Sequence, residues 1–284
     1  MSKVVLVTGT STGLGIAIAV QAAQAGHTVY ATMRNTTKCD ALDAAAEAAG
    51  VSLLVRQLDV QDTTSVTHAV ETVIAEQGRI DVLVNNAGMG YARSLEQAEE
   101  ADIHKILDIN YMGVARCTKA VMPHMRKARA GHVINISSVG GLVGQPFNEI
   151  YCGAKFAVEG LTEAMASYIT PAFGIHFTAV EPGGIVSEFA NTVLEQISQT
   201  GGMFEDEYLP ILQKYVSGAQ NRQNTGIYQT ADDVADVVMQ VMAAETPPVR
   251  TRTSDWSEAF TKLKTELDPD GRKQQALVIE QFLG

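Results

Sequence analysis

Apolar residues fall in short β-branched runs separated by alanine-rich stretches of helical period. Val4 to Thr8 and Ile80 to Val84 read as buried strands, since their apolar positions run together, and His27 to Met33, Val51 to Leu58, Val133 to Ser137 and Ile175 to Val180 read as further strands. Val249 to Thr253 adds a short seventh strand. Between them the pattern predicts a helix after Gly15 closed by Gly26, and others over 37–49 and Ser65 to Gln77 that end at Gly50 and Gly78. Further helices are expected over about Glu99 to Lys127, from near Tyr151 to Phe173, over Thr230 to Ala244, and in a tail at Trp256 to Leu267 and Lys273 to Phe282. Strand and helix alternating at short intervals is the pattern of a parallel sheet of about seven strands with helices on both faces, an α/β doubly wound domain.

Periodicity is lost between Ser187 and Gly226, where apolar residues such as Phe189, Met203 and Phe204 stand among glycines and acids. That segment reads as a mobile insertion covering a ligand, or as a surface elaboration. With no repeat and no low-complexity linker, 1–284 is expected to be one domain, with the insertion at about 187–226 and a helical tail at about 254–284.

Composition narrows the function classes. The chain has 284 residues, 46% apolar and 19% charged, and 32 acidic against 21 basic residues leave a formal charge of −11. Apart from Met125 to Arg129 the basic residues do not cluster, so nucleic acid and anionic membrane are poor partners. No apolar stretch approaches the roughly 20 residues of a membrane span, and no signal layout precedes Val4, so a cytoplasmic protein without membrane insertion is expected. Cys39, Cys117 and Cys152 are scattered, and the six histidines show no ligand spacing; neither a disulfide framework nor a metal site is indicated.

The chemistry gathers at strand ends. Gly9, Gly13 and Gly15 follow the first strand and open a helix, which suits a backbone turn that presents unpaired N–H groups to a phosphate. In a dinucleotide fold the second strand ends on the adenosine ribose, where a carboxylate suits a free 2′-hydroxyl and an arginine a 2′-phosphate. This strand ends on Arg34, with Ser11 as a second contact; the other reading is a solvated arginine. Asp59 and Asn85 to Gly88 fall at the same edge. Asn110 interrupts an apolar helical stripe, either as a satisfied core amide or as a residue that loosens the helix and offers a carbonyl to a water. Tyr151 and Lys155 stand one turn apart on a helix, so the ammonium can lower the phenol's proton affinity; the alternative is an ordinary face with a snorkelling lysine. Ser138 reaches that point across Gly140, Gly141 and Gly144.

Thr8-Gly9-xxx-Gly13-x-Gly15, Asp59, Asn85-Asn86-Ala87-Gly88, Asn110, Ser138, Tyr151-xxx-Lys155 and Pro182-Gly183 together resemble the short-chain dehydrogenase/reductase family over about residues 3 to 253. Residues 30–35 and 138–161 look like the branch that holds the type 1 17β-hydroxysteroid dehydrogenases and related retinol dehydrogenases. The resemblance implies a Rossmann-like domain and a homodimer or homotetramer. It makes Tyr151 the proton donor to a carbonyl or acceptor from an alcohol, with Lys155 tuning it and holding the nicotinamide ribose. Ser138 would bond the substrate oxygen and Asn110 a relay water. Gly9, Gly13, Leu14 and Gly15 would line the pyrophosphate, Asp59 and Val60 the adenine, and Asn86, Ala87 and Gly88 the adenine ribose side. Pro182 and Gly183 count among the cofactor-binding positions, and Ile185 and Ser187 lie where relatives touch the nicotinamide amide, with Ser187 in place of the usual threonine.

The expected protein is thus an oxidoreductase that moves hydride between nicotinamide and a secondary alcohol or ketone. NADP(H) is preferred through Arg34, with NAD(H) as the alternative cofactor. Met89, Leu142, Val143, Phe147, Phe189, Met203 and Phe204 would wall a pocket for a bulky apolar substrate. The rival from another class is an NAD(P)-binding sensor or scaffold without turnover, and complete Ser138, Asn110, Tyr151 and Lys155 argue against it. Cys152 is read as a packing residue, and Glu181-Pro182-Gly183-Gly184 departs from the steroid branch at the pocket rim.

Overall fold

The computed structural model describes residues 2–186 and 202–282. Seven strands, β1 (Val4–Thr8), β2 (Thr28–Met33), β3 (Leu54–Gln57), β4 (Val82–Asn85), β5 (Gly131–Ile136), β6 (Ile175–Glu181) and β7 (Arg250–Arg252), form one sheet. Their order is β3-β2-β1-β4-β5-β6-β7, and every pair is parallel. β1 shows why such strands read as unbroken apolar runs. Val5 and Val7 point into one core layer with Ile18, Val84 and Val238, while Val4 and Leu6 point into the other with Tyr30, Val121 and Phe177. Both faces are covered, so no position is left for a polar residue.

The first layer is supplied by α1 (Gly13–Gln24), α2 (Asp40–Ala48) and α8 (Ala231–Ala243), the second by α3 (Thr63–Gln77), α5 (Gly113–Ala128) and α6 (Glu149–Phe173). The chain winds outward from β1 to β3, then returns to place β4 on the other side of β1. That reversal opens a crevice beyond the carboxyl ends of β1 and β4, where ligands of doubly wound sheets bind.

Several elements differ from the expectation. The span over Glu99 to Lys127 is not one regular helix. It is α4 (Glu100–Leu107), a π-helical turn (Asp108–Met112) and α5, and Asn110 lies in the π-turn. The helix of Tyr151 begins two residues before it, at Glu149. Within the segment expected to be irregular, Leu209–Asn224 is a 16-residue helix, α7, with Pro210 in its first turn. Leu212 is its one fully buried residue, so the helix carries no apolar stripe for periodicity to detect. Ser187 and Phe189 lie outside the described residues. The tail folds as α9 (Asp255–Thr265) and α10 (Arg272–Phe282). Among the described residues, no helix is long and apolar enough to cross a membrane.

Candidate active site

The turn after β1 is built by steric exclusion. Gly9 has φ +72°, and a Cβ there would lie 2.7 Å from Ala87 Cα. A Cβ on Gly15 would overlap the Gly9 carbonyl oxygen and stand 2.6 Å from Asn86 Nδ2. The loop after β4 holds this turn in place: Asn86 Nδ2 donates to the Thr8 and Gly9 carbonyls, at 2.9 Å each, and the Asn86 and Ala87 amides donate to Thr8 Oγ1 at 3.1 and 3.0 Å. The Asn86 side chain is thus a clamp on the glycine turn, and Thr8 is a positioning residue that sequence reasoning left without a role. Its one signal was a threonine closing an otherwise apolar strand.

α1 begins beside this turn with Thr12 as a cap whose side chain makes no capping bond, and with no acid in its first turn. Its opening N–H groups therefore have no side-chain acceptor, a donor set that suits a pyrophosphate. At the end of β2, Arg34 is exposed, and Ser11 is half-buried in the glycine turn. Asp59 commits Oδ1 to the Gln61 amide at 3.0 Å, and the Val60 carbonyl accepts from Arg116 at 3.1 Å. The positions assigned to adenine thus belong to an ordered turn.

The polar groups converge one strand further on. Asn110 is fully buried, with both amide donors paired and its oxygen accepting one bond. Oδ1 accepts from the Met89 amide at 2.9 Å, while Nδ2 donates to the Met89 carbonyl at 2.9 Å and to the Ile106 carbonyl at 3.1 Å. The Asn110 side chain is a satisfied core amide, and the helix around it is loosened, since a π-turn shifts the carbonyls of 108–112 from their regular partners. A Cβ placed on Gly88 would be 2.9 Å from Asn110 Oδ1 and 3.8 Å from Lys155 Nζ, so the three residues meet at one point. Lys155, 5% exposed, donates to the Ile136 carbonyl at 2.8 Å and lies 5.7 Å from the Tyr151 ring centre. Ser138 caps the turn Val139–Gly141 by accepting from the Gly140 amide at 3.0 Å, and its hydroxyl also bonds the Tyr151 phenol. Two hydroxyls and an ammonium share the end of β5.

Burial pushes the Tyr151 phenol well above its usual range, and the Ser138 hydrogen bond opposes the rise. Desolvation also lowers Lys155, to about 8. Burial disfavours the charged form of both groups, and the ammonium is directed at the Ile136 carbonyl.

The expected pocket residues come together only in part. Leu142 and Phe147 are buried and Val143 and Met89 half-buried, whereas Met203 is 37% exposed and the Phe204 ring is covered by the Arg93 guanidinium at 4.2 Å. Phe147 takes φ +61°, rare for a bulky residue, and faces Tyr215 of α7 with ring centres 6.1 Å apart. Asn148 Nδ2 donates to the Tyr215 hydroxyl at 2.7 Å. Before α7, Gln97 donates to Asp206 at 2.7 Å and Tyr208 to Glu96 at 2.6 Å. α7 is therefore fastened to the 142–149 segment, and Tyr215 joins the pocket surroundings although its sequence context did not mark it. Pro182 is buried, and Gly183 and Ile185 are half-buried at the end of β6. Cys152 is buried, and burial raises its thiol, in keeping with a packing role. Among the described residues no group of three or more His, Cys, Asp or Glu side chains is placed to hold a metal ion.

A family model described as short chain dehydrogenase matches residues 3–198. Retinol dehydrogenase 8 of Bos taurus is 39% identical over 282 residues, covering 95% of this chain and 86% of that protein. A 3-ketodihydrosphingosine reductase of Bacteroides thetaiotaomicron is 37% identical over 278 residues, covering 98% and 97%. The crystal structure of a short-chain dehydrogenase from Streptomyces avermitilis superposes with a TM-score of 0.76 at 30% identity, covering 99% of this chain and 98% of that one.

Proposed function

The chain belongs to the short-chain dehydrogenase family as an NAD(P)-dependent oxidoreductase, and from that premise we propose that it interconverts a bulky apolar ketone and its secondary alcohol, with NADP(H) preferred. The observation that carries this reading is the meeting of Asn110 and Lys155 at Gly88, with Tyr151 one turn of α6 from Lys155 and its phenol bonded to Ser138 at the end of β5. When bound, the nicotinamide supplies the hydride. The α1 N-terminus and glycine turn would hold its pyrophosphate, Arg34 and Ser11 a 2′-phosphate, and Lys155 a ribose.

In the reductive direction Tyr151 donates its phenolic proton to the substrate oxygen, and Ser138 orients that oxygen and the phenol together. Lys155 supplies positive charge beneath the phenol as the proton leaves. In the oxidative direction the phenolate accepts the alcohol proton, so the raised phenol makes oxidation improve as pH rises. Buried Leu142 and Phe147, with the fastened α7, support an apolar substrate. The names of the retinol and 3-ketodihydrosphingosine relatives point to long apolar substrates as well.

The test is purified protein with NADPH or NADP and a panel of steroids, retinoids, long-chain 3-keto compounds and aryl ketones, followed by nicotinamide absorbance. Turnover of an apolar ketone is expected, and silence across the panel with intact cofactor binding would favour the sensor reading. For the cofactor, Arg34→Ala is expected to weaken NADPH roughly 10-fold or more, the size of a charge-assisted bond to a phosphate, with NADH hardly changed. Equal losses for both cofactors in a fluorescence titration would refute the preference.

A further inference from the structure

Behind the site, α6 carries a third residue on the stripe of Tyr151 and Lys155. Glu159 follows Lys155 by one turn, on the face that packs on the sheet. It is 5% exposed, and neither of its carboxyl oxygens has a well-formed hydrogen bond. Ser137 Oγ and Glu181 Oε1 are likewise buried without one. These groups share one place: a Cβ on Gly141 would lie 2.7 Å from Ser137 Oγ and 3.0 Å from Glu159 Oε1, and Glu181, at the end of β6 and 0% exposed, is the acid that acts on Glu159. Two carboxyls in one apolar interior cannot both ionise at modest cost. Arg252 decides between them, for its Nη1 is 3.2 Å from Glu181 Oε2. Glu181 is therefore the first of the two to ionise, and Glu159 the one that keeps its proton longer.

We propose that Glu159 is a positioning residue for the reaction: buried one turn behind Lys155 on the stripe of Tyr151, it is the acid whose charge keeps Lys155 an ammonium as pH rises, and Glu181, held by Arg252, sets when that charge appears. This rests on the assignment of Tyr151 and Lys155 to proton transfer. The surrounding charges are few. From α6 come Lys155 and Glu163; from β6, Glu181; from β7, Arg252 and Arg250. Beyond Arg252 stands Glu258 of α9 at 2.9 Å, and Arg250 is held by Glu163 at 3.3 Å and Asp268 at 3.8 Å. The turn Val139–Gly141 adds no titratable group.

Burial, then the Glu181 charge, holds Glu159 well above the carboxylate range, while burial places Glu181 at about 7 against the pull of Arg252. As pH rises, Glu159 gives up its proton and an anion appears one turn from Lys155, where it favours the ammonium. Glu159→Gln removes that anion, so Lys155 loses its proton at lower pH. Glu181→Gln removes the repulsion, so Glu159 ionises earlier and keeps Lys155 charged to higher pH. A neutral Lys155 leaves the phenol a poorer acid, so the alkaline limb of the kcat profile for ketone reduction reports the change.

The two full-length variants are thus expected to move that limb in opposite directions, Glu159→Gln down and Glu181→Gln up, each by about half a pH unit or more. NADPH fluorescence and melting curves check that both fold. Superimposed profiles, or shifts of the same sign, would overturn the proposal, since a merely structural acid pair predicts no opposed movement. Should Glu159→Gln not fold, an upward limb in Glu181→Gln supports the proposal and an unmoved one refutes it. Tyr151→Phe measured alongside keeps the two ideas apart. Rate retained there overturns the assignment of Tyr151 and this inference with it, whereas a dead Tyr151→Phe with superimposed acid-pair profiles overturns only the role of Glu159.

Discussion

Tyr151→Phe is expected to lower kcat for ketone reduction by about 10³-fold, the scale of a lost general acid, or roughly 4 kcal/mol of transition-state stabilisation. The ring is kept, so packing around the half-buried side chain is conserved and only the hydroxyl that Ser138 bonds is removed. Ser138 retains the Gly140 amide as a donor, so the turn Val139–Gly141 should stand. Lys155 is anchored to the Ile136 carbonyl and not to the phenol, so the cofactor side should be little disturbed. NADPH fluorescence titration should therefore give a nearly unchanged Kd beside the collapsed rate. A variant that keeps more than about a tenth of the rate would show that the proton comes from elsewhere.

Gly15→Ala is expected to cost about 100-fold in NADPH affinity and to lower Tm. The added methyl would overlap the Gly9 carbonyl oxygen and press on Asn86 Nδ2, 2.6 Å away, and neither atom is free to retreat. Asn86 is bonded to the Thr8 and Gly9 carbonyls, and Gly9 rests on Ala87. Overpacking of this kind costs roughly 3 kcal/mol, which at about 1.4 kcal/mol per decade is the predicted loss if the strain falls on the binding turn. Gly160→Ala is the control. It lies on α6 with nothing within 4 Å of its Cβ, and alanine there should be neutral or stabilising by up to about 1 kcal/mol, since alanine is the better helix former. If Gly15→Ala bound NADPH as well as Gly160→Ala does, the glycine turn would not be the cofactor cradle.

Much of the edge that carries these residues was legible along the chain. β1, β4 and β5 are buried on both faces, so each appears as an apolar run, and the first polar residue after each run marks the point where it leaves the core. Thr8 and Asn85 stand at those points and the glycine turn and the asparagine loop follow, while β5 runs past its buried Asn135 to Ile136 before Ser137 and Ser138. Gly26, Gly78 and Gly174, with φ values of 81°, 74° and 69°, end their helices where glycine was read as a stop or the periodicity ran out. α7 was not legible, because a helix with one fully buried residue has no period to read.

Local pattern and backbone stereochemistry determined the parallel α/β sheet, the edge at which its functional residues gather, and the spacing that puts Tyr151 and Lys155 on one face. Both signals act within a few residues, and so they survive in a linear string. Distance and desolvation were decided by the tertiary structure. Asn86 became a clamp because β1 and β4 are neighbours, and Asn110 closed on Met89 because a π-turn brings its amide there. Burial raises the Tyr151 phenol, because α6 sets its hydroxyl against Ser138 at the end of β5. Glu159, which by its letter belongs to a solvated helix face, is buried against Glu181 because α6 lies on the sheet at β6, 22 positions further along the chain. The free energy of a buried amide, phenol or carboxyl depends on what surrounds it in space, and for these four residues those surroundings come from distant parts of the chain.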